Sequence, residues 1–275
     1  MSNTKKTKIV ATLGPATSKK EVLHNMIKAG VDVFRINFSH ADYDAVKERI
    51  DMIRSLSEEF GYNTAILADL QGPKLRVGIM KDEVVVNPGD KIVFSTKEEF
   101  EGTKERVYMN YEHFPRDVNK GERILLDDGK LIFEVLKTDN ENEVETVVIQ
   151  VGPLKSRKGV NLPNTNISLP ALTEKDIEDA IFAIKQNVDW IALSFVRHEG
   201  DLIQLQDLIK EHSAHKIPII SKIEKPEAVQ NIDKIVAYSD GLMVARGDLG
   251  VEVPAEEDPL IKSNWFFLQK KHASL

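Results

Sequence analysis

Arg35, Asn37 and Ser39 lie two residues apart, so on an extended segment their side chains point to one face. That face presents a guanidinium, an amide oxygen and a hydroxyl. It is either ordinary strand-end polarity or an anion clamp beside an oxygen-lined cation site. Lys222 and Glu224 repeat the spacing at the end of the run Ile217-Pro218-Ile219-Ile220, and Asp248 ends the next run. Two carboxylates and an ammonium are the parts of Mg2+-assisted phosphoryl transfer. The hard cation takes a few carboxylate oxygens and fills its shell with substrate oxygens and water, while the lysine neutralises the moving charge. The alternative is a Lys222–Glu224 salt bridge inside a barrel, which is an expensive way merely to add stability. Ala245-Arg246-Gly247-Asp248 reads as a short turn, whose backbone N–H groups either hold an anion or simply reverse the chain. Lys155, Arg157 and Lys158 are either a solvated charge run or a grip on nucleotide phosphates. His24, His113, His198, His212, His215 and His272 lack metal-ligand spacing and read as surface or packing residues, and Trp190 and Trp265 as core or surface aromatics.

The elements that must position these residues alternate. Short apolar runs at Lys8–Leu13, Val31–Phe38, Ala65–Leu70, Trp190–Phe195, Ile217–Ile223 and Gly241–Val244 read as buried parallel strands. Amphipathic helices separate them. Ser18 with Glu21 forms a capping box, and Gly30 sits at the C-terminal cap. A second helix runs from Asp42 to Phe60 and stops at Gly61, a third starts at Thr173 with Asp176, and two more cover 199–211 and 226–238. Residues 73–168 break the rhythm. Val84–Val86, Lys91–Phe94, Ile124–Leu126, Leu131–Leu136 and Val144–Val151, with turns at Asn87-Pro88-Gly89-Asp90 and Asp127-Asp128-Gly129, predict a small all-β insert. Reactive groups at nearly every strand end, Asp69 and Ser194 among them, favour a (β/α)8 barrel over a doubly wound sheet, because all strand ends of a barrel face one mouth. An insert at the rim is placed to close over that mouth.

The 275 residues include 37 Lys and Arg, 44 Asp and Glu, and no Cys. This is a globular balance without disulfides or thiolate zinc sites, and it fits a reducing compartment, by default the cytoplasm. The basic start at Lys5-Lys6 is followed by an apolar run too short for a secretory signal, and no stretch reaches the ~18 apolar residues of a membrane span. A net charge of −7 excludes a broad nucleic-acid-binding field, so an anionic ligand must be small and gripped by a few converging cations.

Several ordered strings resemble the pyruvate kinase family: Lys8-Ile9-Val10-Ala11-Thr12-Leu13-Gly14-Pro15-Ala16, Arg35-Ile36-Asn37-Phe38-Ser39-His40, Asp69 through Arg76, Lys158-Gly159-Val160-Asn161-Leu162-Pro163, Ser221-Lys222-Ile223-Glu224, and Val244 through Gly250. The resemblance covers about residues 5 to 261. It implies a barrel over 1–72 and 169–262 with a β lid domain inserted at 73–168, and conversion of phosphoenolpyruvate and ADP to pyruvate and ATP in the cytoplasm. It implies that Lys222 stabilises the transferring phosphoryl group and Arg35 meets it. Glu224 and Asp248 ligate Mg2+ (or Mn2+), and Gly247 with Asp248 contacts the substrate. Asn37, His40, Arg76 and Lys158 serve the nucleotide. Asn37, Ser39, Asp69 and the Leu70 carbonyl form a monovalent-cation site. The family is usually homotetrameric.

Two departures stand out. Where potassium-dependent members carry Thr and Glu, this chain has Leu70 and Lys74, so the Lys74 ammonium is expected to supply the charge otherwise given by K+ and to make that ion dispensable. The match also fades at Asp258 and is lost after Lys262, before the family's seventh and eighth strands, its Ala-Thr-Gln motif and its C-terminal regulatory domain. Residues 263–275 read as a non-homologous tail. Lys262–Leu275 can be back-translated so that another frame reads Ile-Gln-Leu-Val-Leu-Phe-Ala-Lys-Lys-Ala-Arg-Ile-Pro, which resembles the family's next helix and strand entry and suggests a frameshift near Lys262. Without the insert, fewer residues remain than the ~200–250 of a complete barrel. The expectation is therefore an incomplete barrel of about six strands with little or no kinase activity at this length. The alternative is a non-catalytic remnant that still binds nucleotide or Mg2+.

Overall fold

The computed structural model describes residues 7–163 and 165–252; the tail at 263–275 lies outside the described residues. The chain divides into two compact units. Among the described residues, the first unit comprises 7–72, 171–223 and 230–244, and the second comprises 73–163, 165–170, 224–229 and 245–252.

In chain order the first unit opens with β1 (Val10–Thr12), α1 (Lys20–Lys28), β2 (Val33–Asn37), α2 (Tyr43–Phe60) and β3 (Ala65–Asp69). The intervening second-unit segment carries β4 (Val84–Val86), β5 (Lys91–Ser95), β6 (Arg106–Tyr108), α3 (Phe114–Asp117), β7 (Arg123–Leu126), β8 (Leu131–Thr138), β9 (Glu143–Gln150), β10 (Gly152–Leu154) and β11 (Val160–Asn161). The chain continues with α4 (Glu174–Lys185), β12 (Trp190–Leu193), α5 (Glu199–His212), β13 (Ile219–Ile223), α6 (Pro226–Gln230), α7 (Ile232–Tyr238), β14 (Gly241–Val244) and α8 (Arg246–Glu252).

The first unit is a six-stranded, wholly parallel sheet in the order β1-β2-β3-β12-β13-β14. Parallel strands are covered on both faces, which is why β3 and β12 read as unbroken apolar runs and are buried along most of their length. The register pairs Asn37 with Asp69, and Asp69 with Ala192, so the polar C-terminal ends of three strands fall side by side.

Local chemistry explains three helix ends. Asp42 accepts from Ala45 N at 2.9 Å to start α2, and Gly61, at φ 68°, ends it in the left-handed conformation glycine tolerates. Thr173 and Asp176 form the reciprocal capping box of α4. The box expected at Ser18 does not form. Ser18 ends the 3₁₀ turn Pro15–Thr17 with helical φ and ψ, whereas an N-cap needs extended backbone, so Lys19 takes the N-cap position of α1 without a side-chain cap hydrogen bond. The single helix expected over 226–238 is two, broken at Asn231, whose amide donates to the Arg197 carbonyl at 2.9 Å.

The second unit is built on a six-stranded sheet, β11-β7-β8-β9-β5-β6, with β4 paired to β10. Its core includes Phe94, Phe114 and Phe133, with Phe94 and Phe133 edge to face at 5.3 Å. The insert is not wholly β, because Pro115 lies in the first turn of the short helix α3. Its main sheet is also mixed, because β5 and β6 pair in parallel. The Asn87–Asp90 turn joins β4 to β5 without making a hairpin, since β4 pairs with β10.

Candidate functional site

In the first unit the strand ends converge on Asp69, whose side chain is 1% exposed. Arg35 Nε donates to Asp69 Oδ2 at 2.5 Å, and Arg35 Nη2 meets the same oxygen. Arg35 Nη1 donates to Thr12 Oγ1 at 2.9 Å. Lys222 Nζ lies 3.3 Å from Asp69 Oδ1, an ion pair without hydrogen-bond geometry, since Oδ1 is buried with no hydrogen-bond partner. Lys222 Nζ donates to Ser194 Oγ at 2.7 Å, and Ser194 Oγ donates to the Leu70 carbonyl at 2.6 Å. One buried carboxylate thus faces two cations, an arrangement that holds both side chains in place for an incoming anion.

The shared face expected for Arg35, Asn37 and Ser39 stops at Asn37. The chain turns into the 3₁₀ segment Phe38–His40, and Asn37 Oδ1 caps it by accepting from Ser39 N at 3.0 Å. The side chain of His40 lies outside the described residues. Of the oxygens expected around a monovalent cation, Asn37 Oδ1, the Asp69 carboxylate and the Leu70 carbonyl each already face a donor or a cation. These are hard oxygen ligands of the right type, but an added cation would sit beside two existing positive charges.

The second unit holds Arg76, Lys158, Glu224, Gly247 and Asp248. Arg76 pairs across an antiparallel bridge with Gly159, which places Lys158 on the neighbouring segment. Lys158 Nζ lies 3.0 Å from Asp127 Oδ1, and Lys155 lies 3.8 Å from Glu83. The Lys158 hydrogen bond, reinforced by Lys130, lowers the Asp127 carboxyl below its ordinary 3.8. A carboxyl lowered on folding adds stability above its ordinary value and loses it as pH falls through the lowered one. Asp127→Asn is therefore expected to flatten the fall of melting temperature below about pH 4. An unchanged acid limb in a melting series would contradict this.

Glu224 is 1% exposed, and Asp248 is exposed in the first turn of α8. Gly247 and Asp248 therefore belong to a helix and not to the plain turn expected, because Leu249 N bonds back to the Ala245 carbonyl at 2.9 Å. Both carboxylates supply the hard oxygen that Mg2+ takes. Next in the chain after Glu224, buried Lys225 donates to Glu252 Oε1 at 2.5 Å, and Asn161 donates to the same oxygen at 2.9 Å.

Four contributors were not assigned a site role from sequence: Thr12, Ser194, Asp127 and the Lys225–Glu252 pair. Ser194 carried a signal, a hydroxyl ending the buried run Ile191–Leu193. Thr12 and Asp127 depend on contacts between distant segments and carried none.

A parallel β/α sheet with six of a barrel's eight strands among the described residues, interrupted after its third strand by a β lid domain, is an incomplete (β/α)8 barrel. The family described as "Pyruvate kinase, barrel domain" matches residues 4–271, a span that runs past Lys262. The chain is 42% identical over 261 residues to a pyruvate kinase of Staphylococcus haemolyticus (strain JCSC1435). It is 44% identical over 262 residues to one of Staphylococcus aureus (strain MRSA252), and 45% identical over 262 residues to one of Staphylococcus saprophyticus. Each match covers 94% of this chain and 44% of the relative, so the chain spans less than half the length of these curated relatives. The chain belongs to the pyruvate kinase family. Among the described residues no helix is long and apolar enough to cross a membrane.

Proposed function

We propose that the chain serves phosphoryl transfer from phosphoenolpyruvate to ADP, the glycolytic step that yields pyruvate and ATP in the cytoplasm. The observation that carries this reading is the buried cluster in which Arg35 and Lys222 are both held on Asp69 at the C-terminal ends of parallel strands. Phosphoryl transfer needs little covalent help, and its barrier falls by alignment and charge neutralisation. Lys222 neutralises charge on the transferring group, and Arg35 grips its oxygens. Glu224 and Asp248 hold Mg2+, which when bound supplies a hard Lewis acid for phosphoryl oxygens. Gly247 and Asp248 meet the substrate, and Asn37, His40, Arg76 and Lys158 receive the nucleotide.

Calorimetry tests the reading on the chain as it stands. Titrations in Mg2+ are expected to show saturable binding of phosphoenolpyruvate and, separately, of ADP. Binding of ADP without phosphoenolpyruvate would contradict it and assign the chain to nucleotide binding alone.

The monovalent cation is dispensable in this reading. Asp69 already faces two cationic side chains, Leu70 stands where potassium-dependent members have Thr, and Lys74 adds an exposed ammonium. Phosphoenolpyruvate affinity is expected to be the same in potassium as in tetramethylammonium. A gain of about tenfold in potassium, roughly 1.4 kcal/mol, would contradict this.

A further inference from the structure

We propose that Ser194 is the positioning residue for Lys222, fixing its ammonium for the phosphoryl group before any ligand arrives. The inference deepens the reading above and rests on it for the ligand. A serine hydroxyl has one proton and two lone pairs. Ser194 gives its proton to the Leu70 carbonyl at 2.6 Å, which turns a lone pair toward Lys222 Nζ at 2.7 Å. Ser194 and Leu70 are each 1% exposed and the Lys222 side chain 12%, so water is kept from the first bond and has little access to the second. A lysine on its four-carbon stem otherwise samples many rotamers, and a fixed acceptor selects one of them.

Two backbone features hold the hydroxyl there. Phe195, next in the chain, has φ 54°, a costly left-handed conformation for an aromatic residue and one that persists only where the surroundings impose it. From the other side, Gly72, at φ 69°, brings the chain after Leu70 flush against Ser194. A Cβ on Gly72 would lie 2.7 Å from the Phe195 ring and 3.0 Å from Ser194 Cβ. Gly72 N is itself anchored on Asp176 Oδ1 at 3.0 Å. A strained turn, a glycine-only approach and a directional hydroxyl thus serve one geometry.

The test uses the full chain with 15N-labelled lysine. Ammonium protons give a 1H–15N signal when hydrogen bonds slow their exchange with water. The ligand-free chain is expected to show one such signal that Lys222→Met removes. Ser194→Ala should abolish it and weaken phosphoenolpyruvate binding in Mg2+ by about tenfold. Ser194→Thr, which keeps the hydroxyl, should retain the signal, and an unchanged amide spectrum shows that each variant is folded. If Ser194→Ala is misfolded, near-isosteric Ser194→Cys takes its place with the same expectation. The proposal is overturned by a signal that survives loss of the hydroxyl, by its loss in Ser194→Thr as well, or by its absence from the parent chain. The signal is read without ligand, so failure of phosphoenolpyruvate to bind counts against the proposed function and leaves the ammonium measurement to judge Ser194.

Discussion

Asp69→Ala is expected to destabilise the chain by about 3–5 kcal/mol, measured by denaturant unfolding. The substitution removes a carboxylate that is 1% exposed and leaves Arg35 and Lys222, with side chains 26% and 12% exposed, without their shared counter-charge. Breaking a buried pair from one side costs far more than the pair contributes, because the remaining charge stays desolvated. Asp69→Asn keeps the volume and an acceptor for Arg35, so its loss should be smaller than that of Asp69→Ala. A loss below about 1 kcal/mol for Asp69→Ala, the size of an exposed pair, would show that water reaches these cations.

Gly72→Ala is expected to cost about 2–5 kcal/mol, from the left-handed backbone and from overpacking against Phe195 and Ser194. The added methyl meets the Phe195 ring and the Ser194 side chain, and the backbone is already at φ 69°. The effect should not stop at stability, since any relief moves Ser194 off the Leu70 carbonyl, and phosphoenolpyruvate affinity should fall with it. Gly61, at φ 68° but with nothing near its absent Cβ, supplies the control, and Gly61→Ala should carry only the backbone cost of about 1–2 kcal/mol. Equal losses at the two glycines in parallel melts would mean that Gly72 does not press on Ser194.

What sequence reading recovers here follows contact range. The boundary of α2 at Asp42 and Gly61 and the Thr173–Asp176 box are decided within four residues of chain, and both were legible. The box at Ser18 fails for an equally local reason that the pattern hides, since the preceding 3₁₀ turn claims Ser18 first. The two-residue spacing from Arg35 holds as far as Asn37, and Phe38 ends it by turning the chain. Strand β6 was missed because Arg106-Val107-Tyr108 is short and buries only Val107, pairing in parallel with β5 at the sheet edge. Arg35, Asp69 and Lys222 were legible as charged strand ends. The joining role of Ser194 was not, because its partners lie 28 and 124 residues away in sequence.

If Lys222 and its buried partners form the phosphoryl-binding end of the site, titrating phosphoenolpyruvate, in Mg2+, into the parent chain and into Lys222→Met side by side will separate the two. Loss of a charge-assisted hydrogen bond of about 1.5–3 kcal/mol predicts saturable binding by the parent and affinity about 10- to 100-fold weaker in the variant, with ADP affinity the same in both. Equal phosphoenolpyruvate affinity in the two chains would contradict the account.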